Sequence, residues 1–331
     1  MQISTASFYN RSATQMTKLN TDLNRLQTEL STKKLNVASQ DSTAWMMLGG
    51  IKKDEADSTA FRANITLSRG LLAQADTALG NVDERLVRVR ELATRAGSET
   101  LNAKDRSAIA TELGQIRDGL LALANARDVR GHPVFGGTGD SAFTRDATSG
   151  AIAYTGNESV ATVRIGDASE MQVGIDGRRV FGGDPTMTGV VDVFQMIDDL
   201  KAAMEMPLTA DAAVAAPVDP TVDPATVPAF DETAARSQYA QSISDALTRL
   251  DSAEGQVTSA RAANGARAAR LEIESTQLDT IGIDREEART ALEDTDIPTT
   301  MVEFQKTITI LQATQASVAK LAGLSLFNYL K

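Results

Sequence analysis

Apolar residues spaced alternately three and four apart constrain this chain more than any other feature in it. Near one end, Met301, Phe304, Ile308, Leu311 and Val318 follow that spacing, with Gln315 as the polar member of the series. Near the other, Met16, Leu19, Leu23, Leu26 and Leu30 repeat it. Two positions in seven make a narrow helical stripe, the seam of a coiled coil. Thr, Gln, Asn and Ser fill much of the remainder, and such helices owe their stability to whatever covers the stripe. The C-terminal segment closes on Leu324-Ser-Leu326-Phe327-Asn-Tyr329-Leu330, an apolar and aromatic plug where chain ends are ordinarily polar. The spacing fits a bundle inside one molecule and a seam between copies equally well.

Charge separates the ends from the middle. The 331 residues carry a formal net charge of −11. Arg11, Lys18 and Arg25 against Asp22 and Glu29 give residues 1–30 a sum of +1. Lys306, Lys320 and Lys331 against Glu303 give residues 301–331 a sum of +2, which leaves −14 for the middle. An acidic, solvated body between weakly charged ends predicts that the ends make contacts. It argues against nucleic acid as a partner, because phosphate neutralisation needs a basic face. No run of about 18 apolar residues marks a membrane span, so no membrane partner is expected. There are no cysteines, which removes disulfides, thiolate nucleophiles and cysteine-based zinc sites. Met1 to Asn10 lacks the basic start and apolar core of a cleavable secretory signal, so export would need another route.

Ser31 to Asp41 is a mixed polar break, with Asp41 or Ser42 as the cap of a second helix. That helix is predicted over about 42–98, without proline, and roughly 85 Å long at about 1.5 Å per residue. Its second half has the most regular heptad: Leu72, Ala75, Leu79, Val82, Leu86, Val89, Ala93 and Ala96. In its first half Met47, Ile51, Phe61 and Ile65 are in phase, but Asp54, Ser58 and Ser68 interrupt. Gly49 and Gly50 weaken it further, by about 1 kcal/mol each relative to alanine. Trp45, the only tryptophan, reads as a packing residue, with a partner contact as the alternative. Asn102 and Asp105 cap a third helix running through Ile109, Leu113, Ile116, Leu120 and Leu123 to about Arg127, ended by Gly131.

From Ala151 to Phe181 the period falls towards two, punctuated by Gly156-Asn157, Gly166-Asp167 and Asp176-Gly177, the last a hairpin turn. A small antiparallel β module is predicted, then a short helix near 190–206. Pro207, Pro217, Pro220, Pro224 and Pro228 mark a linker. From Asp231 a long helix resumes through Tyr239, Ile243, Ala246, Leu250, Ala253, Val257 and Ala260. It passes Leu271 and Leu278, although Asn264, Arg267 and Glu274 occupy in-phase positions. Asp294 to Pro298 breaks it before the terminal helix. The predicted fold is mainly α with a β-rich insertion (α+β): an elongated antiparallel helical bundle with terminal coiled-coil helices. Its divisions are an N-terminal helix (1–40), a rod half (41–130), an outer β domain (131–206), the linker (207–230), the second rod half (231–297) and a C-terminal helix (298–331).

Catalytic chemistry has little to draw on. His132 is the only histidine; it precedes Pro133 and reads as a loop residue, so neither a Ser/His/Asp set nor a metal cluster can be built around it. Gly136-Gly-Thr-Gly139 lacks the Lys-Ser/Thr of a phosphate loop. Glu286 with Glu287, and Asp198 with Asp199, point apart on a helix and suit solvated faces. Lys33-Lys34 and Lys52-Lys53 are too small for a nucleic-acid patch. No enzyme activity, cofactor or metal is expected.

Met1-Gln-Ile-Ser-Thr5 resembles the start of the bacterial flagellin and hook-associated family. Gly131-His-Pro-Val-Phe-Gly-Gly137 is similar to its joint between helical and β domains. Tyr154-Thr-Gly-Asn157, Val163-Arg-Ile-Gly166 and Gly177-Arg-Arg-Val-Phe181 resemble its outer domain, and Val193-Phe-Gln-Met-Ile-Asp-Asp-Leu200 the helix that follows. Ser325-Leu-Phe-Asn-Tyr-Leu330 resembles the terminal motif of its junction members, where filament subunits end differently. The order of these motifs over the full chain carries the match. The resemblance implies a flagellin-like fold and a structural role in the hook–filament junction, as adaptor for flagellin assembly. It implies as partners other copies of the chain, the preceding junction protein (hook-associated protein 1), flagellin, and an export chaperone on the C-terminal segment. It also implies export, unfolded, through the flagellar type III channel to an extracellular place in the flagellum. The candidate assembly interface is the two seams with the plug residues Leu326, Phe327, Tyr329 and Leu330. A filament subunit of the same family and a secreted coiled-coil binding protein are the alternatives. One motif departs: where the family often has a Ser-Gly turn and then Ser-Asp-Asp-Pro, Ser31-Thr-Lys-Lys and Ser39-Gln-Asp-Ser42 stand here.

Overall fold

A computed structural model describes residues 2–35, 42–98, 101–209 and 230–329, with side chains between 7 and 320. Asp41, the prolines from Pro217 to Pro228 and the plug side chains lie outside the described residues. In order, the elements are α1 (Gln2–Thr32), α2 (Ser42–Ala96), α3 (Ala103–Ala124), β1 (Phe143–Arg145), β2 (Ile152–Tyr154), β3 (Thr162–Arg164), β4 (Glu170–Gln172), α4 (Gly177–Phe181), α5 (Val193–Glu205), α6 (Glu232–Glu293) and α7 (Ile297–Tyr329). They form two compact units: residues 1–59 with 278–331, and residues 60–277. The long helices α2 and α6 contribute to both.

The core of the 60–277 unit is the heptad seam of α2. All eight positions from Leu72 to Ala96 are buried, facing Ile109, Leu113, Ile116 and Leu120 of α3 and Ile243, Leu250 and Val257 of α6. Charged pairs line the edges. Arg90 bridges to Glu254 at 2.8 Å and to Asp251, and Arg88 donates to Glu112 at 2.7 Å. The Asn102 side chain accepts from the Asp105 amide and starts α3, as its type and position dictate. The end of α3 differs from the sequence expectation. The helix stops at Ala124 with Asn125 as C-cap, and Gly131 (φ 84°) serves a later turn. Asn125 ends it because its amide is engaged elsewhere. Its Oδ1 accepts from the Phe143 amide at 3.0 Å and its Nδ2 donates to the Phe143 carbonyl at 2.9 Å, tying α3 to β1.

The β-rich part is smaller than period-two reasoning suggests. It holds two antiparallel pairs, β1–β2 with Thr144 opposite Ala153, and β3–β4 with Val163 opposite Met171. β1 lies before the stretch where alternation was expected. Asp176-Gly177 is not a hairpin turn. Asp176 accepts from the Arg178 amide and caps α4 instead. What organises this part is aromatic: Phe143 lies 5.2 to 5.5 Å, ring to ring, from Tyr154, Phe181 and Phe194, all edge to face. Two glycines permit the close chain approach. A Cβ on Gly137 (φ 63°) would collide with the Asn157 carbonyl, and one on Gly182 (φ 76°) with Asp192.

The polar residues that break the α6 heptad are its docking points. Asn264 donates to the Leu72 carbonyl, Arg267 to the Gly174 carbonyl, and Glu274 accepts from Ser169. α5 starts where expected, with Asp192 accepting from the Gln195 amide, and α6 starts on Asp231, whose carboxylate accepts from the Thr233 and Ala234 amides. No described helix is long and apolar enough to cross a membrane.

Candidate assembly interface

In the unit of residues 1–59 and 278–331, α1 packs against α7. A turn joins their ends. Lys34 bridges antiparallel to Asp294, the Leu35 amide donates to the Glu293 carbonyl at 2.7 Å, and the Thr295 amide donates to the Lys33 carbonyl at 3.1 Å. The start of α7 thus lies beside the end of α1, and the two helices run antiparallel. Lys33 takes φ 57°, a left-handed conformation that glycine adopts freely and a residue with a Cβ does not. The Lys34 ammonium sits 2.7 Å from Glu293, and that hydrogen bond holds the Glu293 carboxyl below the usual glutamate range. Leu35, Ala44, Leu48 and Leu292 close a small apolar cluster behind the turn.

The predicted seams face each other incompletely. Of the five predicted α1 seam positions only Leu26 is buried; Met16, Leu19, Leu23 and Leu30 are half-buried. On α7 Phe304, Ile308, Leu311 and Val318 are half-buried and Met301 is exposed. The polar member of the α7 series is Thr314, half-buried, with Gln315 exposed one position on. Thr314 fits because its hydroxyl donates to the Ile310 carbonyl at 2.7 Å, leaving its methyl for the seam. Glu29 was not anticipated: it is buried within the seam, its two carboxylate oxygens each 3.0 Å from Arg25. The acidic residue four places after Arg25 was the available signal, and it reads equally well as a surface pair. Leu326, Phe327 and Tyr329 belong to α7, but their side chains and Leu330 lie outside the described residues.

Large apolar side chains also stand in solvent on this unit. Trp45 is 52% exposed with the Lys52 ammonium 5.9 Å above its ring, so it is not the packing residue expected. Met47, expected in phase with the core, is exposed, as are Met46, Ile283, Val302 and Ile310. Of the interruptions in the first half of α2, Asp54 and Ser58 are polar docking points, like those of α6. Arg285 donates to the Asp54 carbonyl at 3.0 Å and to Ser58, and Arg289 reaches Glu55 at 3.7 Å. His132 lies in a turn of the other unit, its amide donating to Asp128 at 3.0 Å. Among the described residues no three His, Cys, Asp or Glu gather as a metal site would require.

Residues 3–140 match the bacterial flagellin N-terminal helical region, and residues 247–330 match the bacterial flagellin C-terminal helical region. Flagellar hook-associated protein 3 of Salmonella typhimurium is 25% identical over 340 residues, covering 99% of this chain and 99% of its own. Flagellar hook-associated protein 3 of Escherichia coli is 25% identical over 283 residues, covering 81% of this chain and 77% of its own. The flagellar junction protein FlgL of Legionella pneumophila shares the fold, with a TM-score of 0.55 at 15% identity over 76% of this chain and 100% of its own.

Proposed function

This chain belongs to the bacterial flagellin family, and from that premise we propose that it is a structural subunit of the hook–filament junction, adaptor between the hook and the first flagellin subunits. The observation that carries the reading is the incomplete cover of the α1–α7 seam. Two antiparallel helices alone leave Met16, Leu19, Leu23 and Phe304 half in water, and neighbouring chains supply the remaining faces. Such contacts must be heterologous, since a self-complementary pair would close where a tube must continue. The terminal segments 1–40 and 298–331 are the assembly segments in this reading. Their partners are other copies of the chain, the preceding junction protein and flagellin, with a chaperone on the C-terminal segment before export through the type III channel to the cell exterior. No reaction is assigned. Ion pairs such as Arg90–Glu254 and Arg285–Asp54 link α2 to α6. Immunogold labelling of isolated flagella tests the proposal. Label confined to the distal edge of the hook supports it; label along the shaft makes the chain a filament subunit, and label absent from flagella makes it a secreted coiled-coil protein.

A further inference from the structure

Within the 60–277 unit, α2 and α6 lie side by side, and one level of that pair is built unlike the rest. Between Leu79 and Ala96 on α2, and between Ile243 and Val257 on α6, the seam is apolar and buried. Around Ser68–Leu72 and Asn264–Arg267 polar groups enter it. Ser68 is wholly covered, and among the described residues its Oγ finds no hydrogen-bond partner. Asn264 is 3% exposed; its Nδ2 donates to the Leu72 carbonyl at 2.8 Å, but its Oδ1 has no partner among the described residues. Arg267 donates to the Gly174 carbonyl at 3.1 Å, and burial lowers its pKa from the ordinary arginine value. Gly70 and Gly265 lie inside helices within this level, as Gly80 and Gly255 do in the apolar stretch, so the polar groups are what set the level apart. A Cβ on Gly70 or Gly265 would meet nothing within 4 Å, so packing does not require glycine at either place.

Each feature weakens the level by a different route. A buried polar atom without a partner keeps its desolvation cost. A half-buried cation loses solvation. A glycine inside a helix loses more backbone freedom on folding than alanine does. Proteins open locally at their least stable contiguous segments. A long helix pair interrupted in mid-length also divides into pieces nearer the length at which isolated helices are marginal.

We propose that, within the 60–277 unit, the level of Ser68–Leu72 and Asn264–Arg267 is where the α2–α6 pair opens first, and that unfolding of this unit for flagellar export starts there. The export step rests on the flagellar reading above; the opening step does not.

Hydrogen exchange on the full-length chain reads the opening step. Amides of 66–72 and 262–267 exchange ahead of those of 82–93 and 250–257; equal or slower exchange at the proposed level overturns the inference. The pair of substitutions Gly70→Ala and Gly265→Ala slows exchange there by about fivefold per replacement, and the variant accumulates more slowly in the culture medium of flagellated cells. Slowed exchange with unchanged secretion overturns the export step. If the unaltered chain never leaves the cell through the flagellar apparatus, the flagellar reading falls and the export step with it, while the exchange pattern still decides where the pair opens.

Discussion

Lys33 holds a left-handed backbone, φ 57°, at the turn that sets α1 against α7. For a residue with a Cβ that conformation costs roughly 1–2 kcal/mol. Lys33→Gly is therefore expected to stabilise the 1–59/278–331 unit by about 1 kcal/mol in urea denaturation, net of the entropy that glycine adds to the unfolded chain. The neighbouring pair gives a pH dependence. Glu293 has its carboxyl lowered chiefly by the Lys34 hydrogen bond. A carboxyl with a lower pKa folded than unfolded contributes stability that is complete above the ordinary glutamate range. That contribution is lost as the pH falls through the depressed value. Acid titration of the unit's unfolding midpoint should show this loss, and Lys34→Met should lessen it, because Arg289 and Lys52 also lower the carboxyl. Trp45, exposed beneath Lys52, is expected to cost under about 0.5 kcal/mol when changed to alanine, as a surface substitution does. Its exposure was not legible in the sequence, where a lone tryptophan defaults to the core. Only the three-dimensional course of α2 turns Ala44 and Leu48 inward and leaves Trp45, Met46 and Met47 outside.

The long helices were legible because a heptad needs nothing but local spacing. The α2 positions from Leu72 to Ala96 are buried as the pattern requires, and the starts of α3, α5 and α6 carry Asn102, Asp192 and Asp231 as caps. The β-rich part was legible as a change of period but not as strands. Strands of three residues carry too few alternations to fix their register, and their positions are set by the aromatic cluster and by Asn125. Asn125→Ala is expected to destabilise the 60–277 unit by about 2 kcal/mol in denaturant titration, because it strands the Phe143 amide and carbonyl it now pairs. The interruptions on α6 looked like faults in a seam. They are where other parts of the chain dock, a role visible only once Gly174 and Ser169 are found beside Arg267 and Glu274.

At the scale of the whole molecule, the proposed role makes the chain one brick of a larger wall. Its terminal seams are half-covered by each other, and the exposed Trp45, Met46, Val302 and Ile310 belong to the same unit. Spacing marked Leu26 and eight half-buried positions on the two helices, but it also marked Met301, which is exposed, and did not mark the half-buried Tyr9. Whether the cover of the seams was internal or came from neighbours was not legible, since the same stripe serves both. The absence of cysteine provides a clean background for deciding it. The variant Val302→Cys, produced in place of the native chain and cross-linked with a short bis-maleimide after a second Phe8→Cys substitution, reports directly on neighbours. In isolated hook–filament structures covalent multimers of the chain are expected, absent when the same variant is cross-linked in dilute solution. Cross-linked material that stays monomeric in both settings would contradict the proposed role.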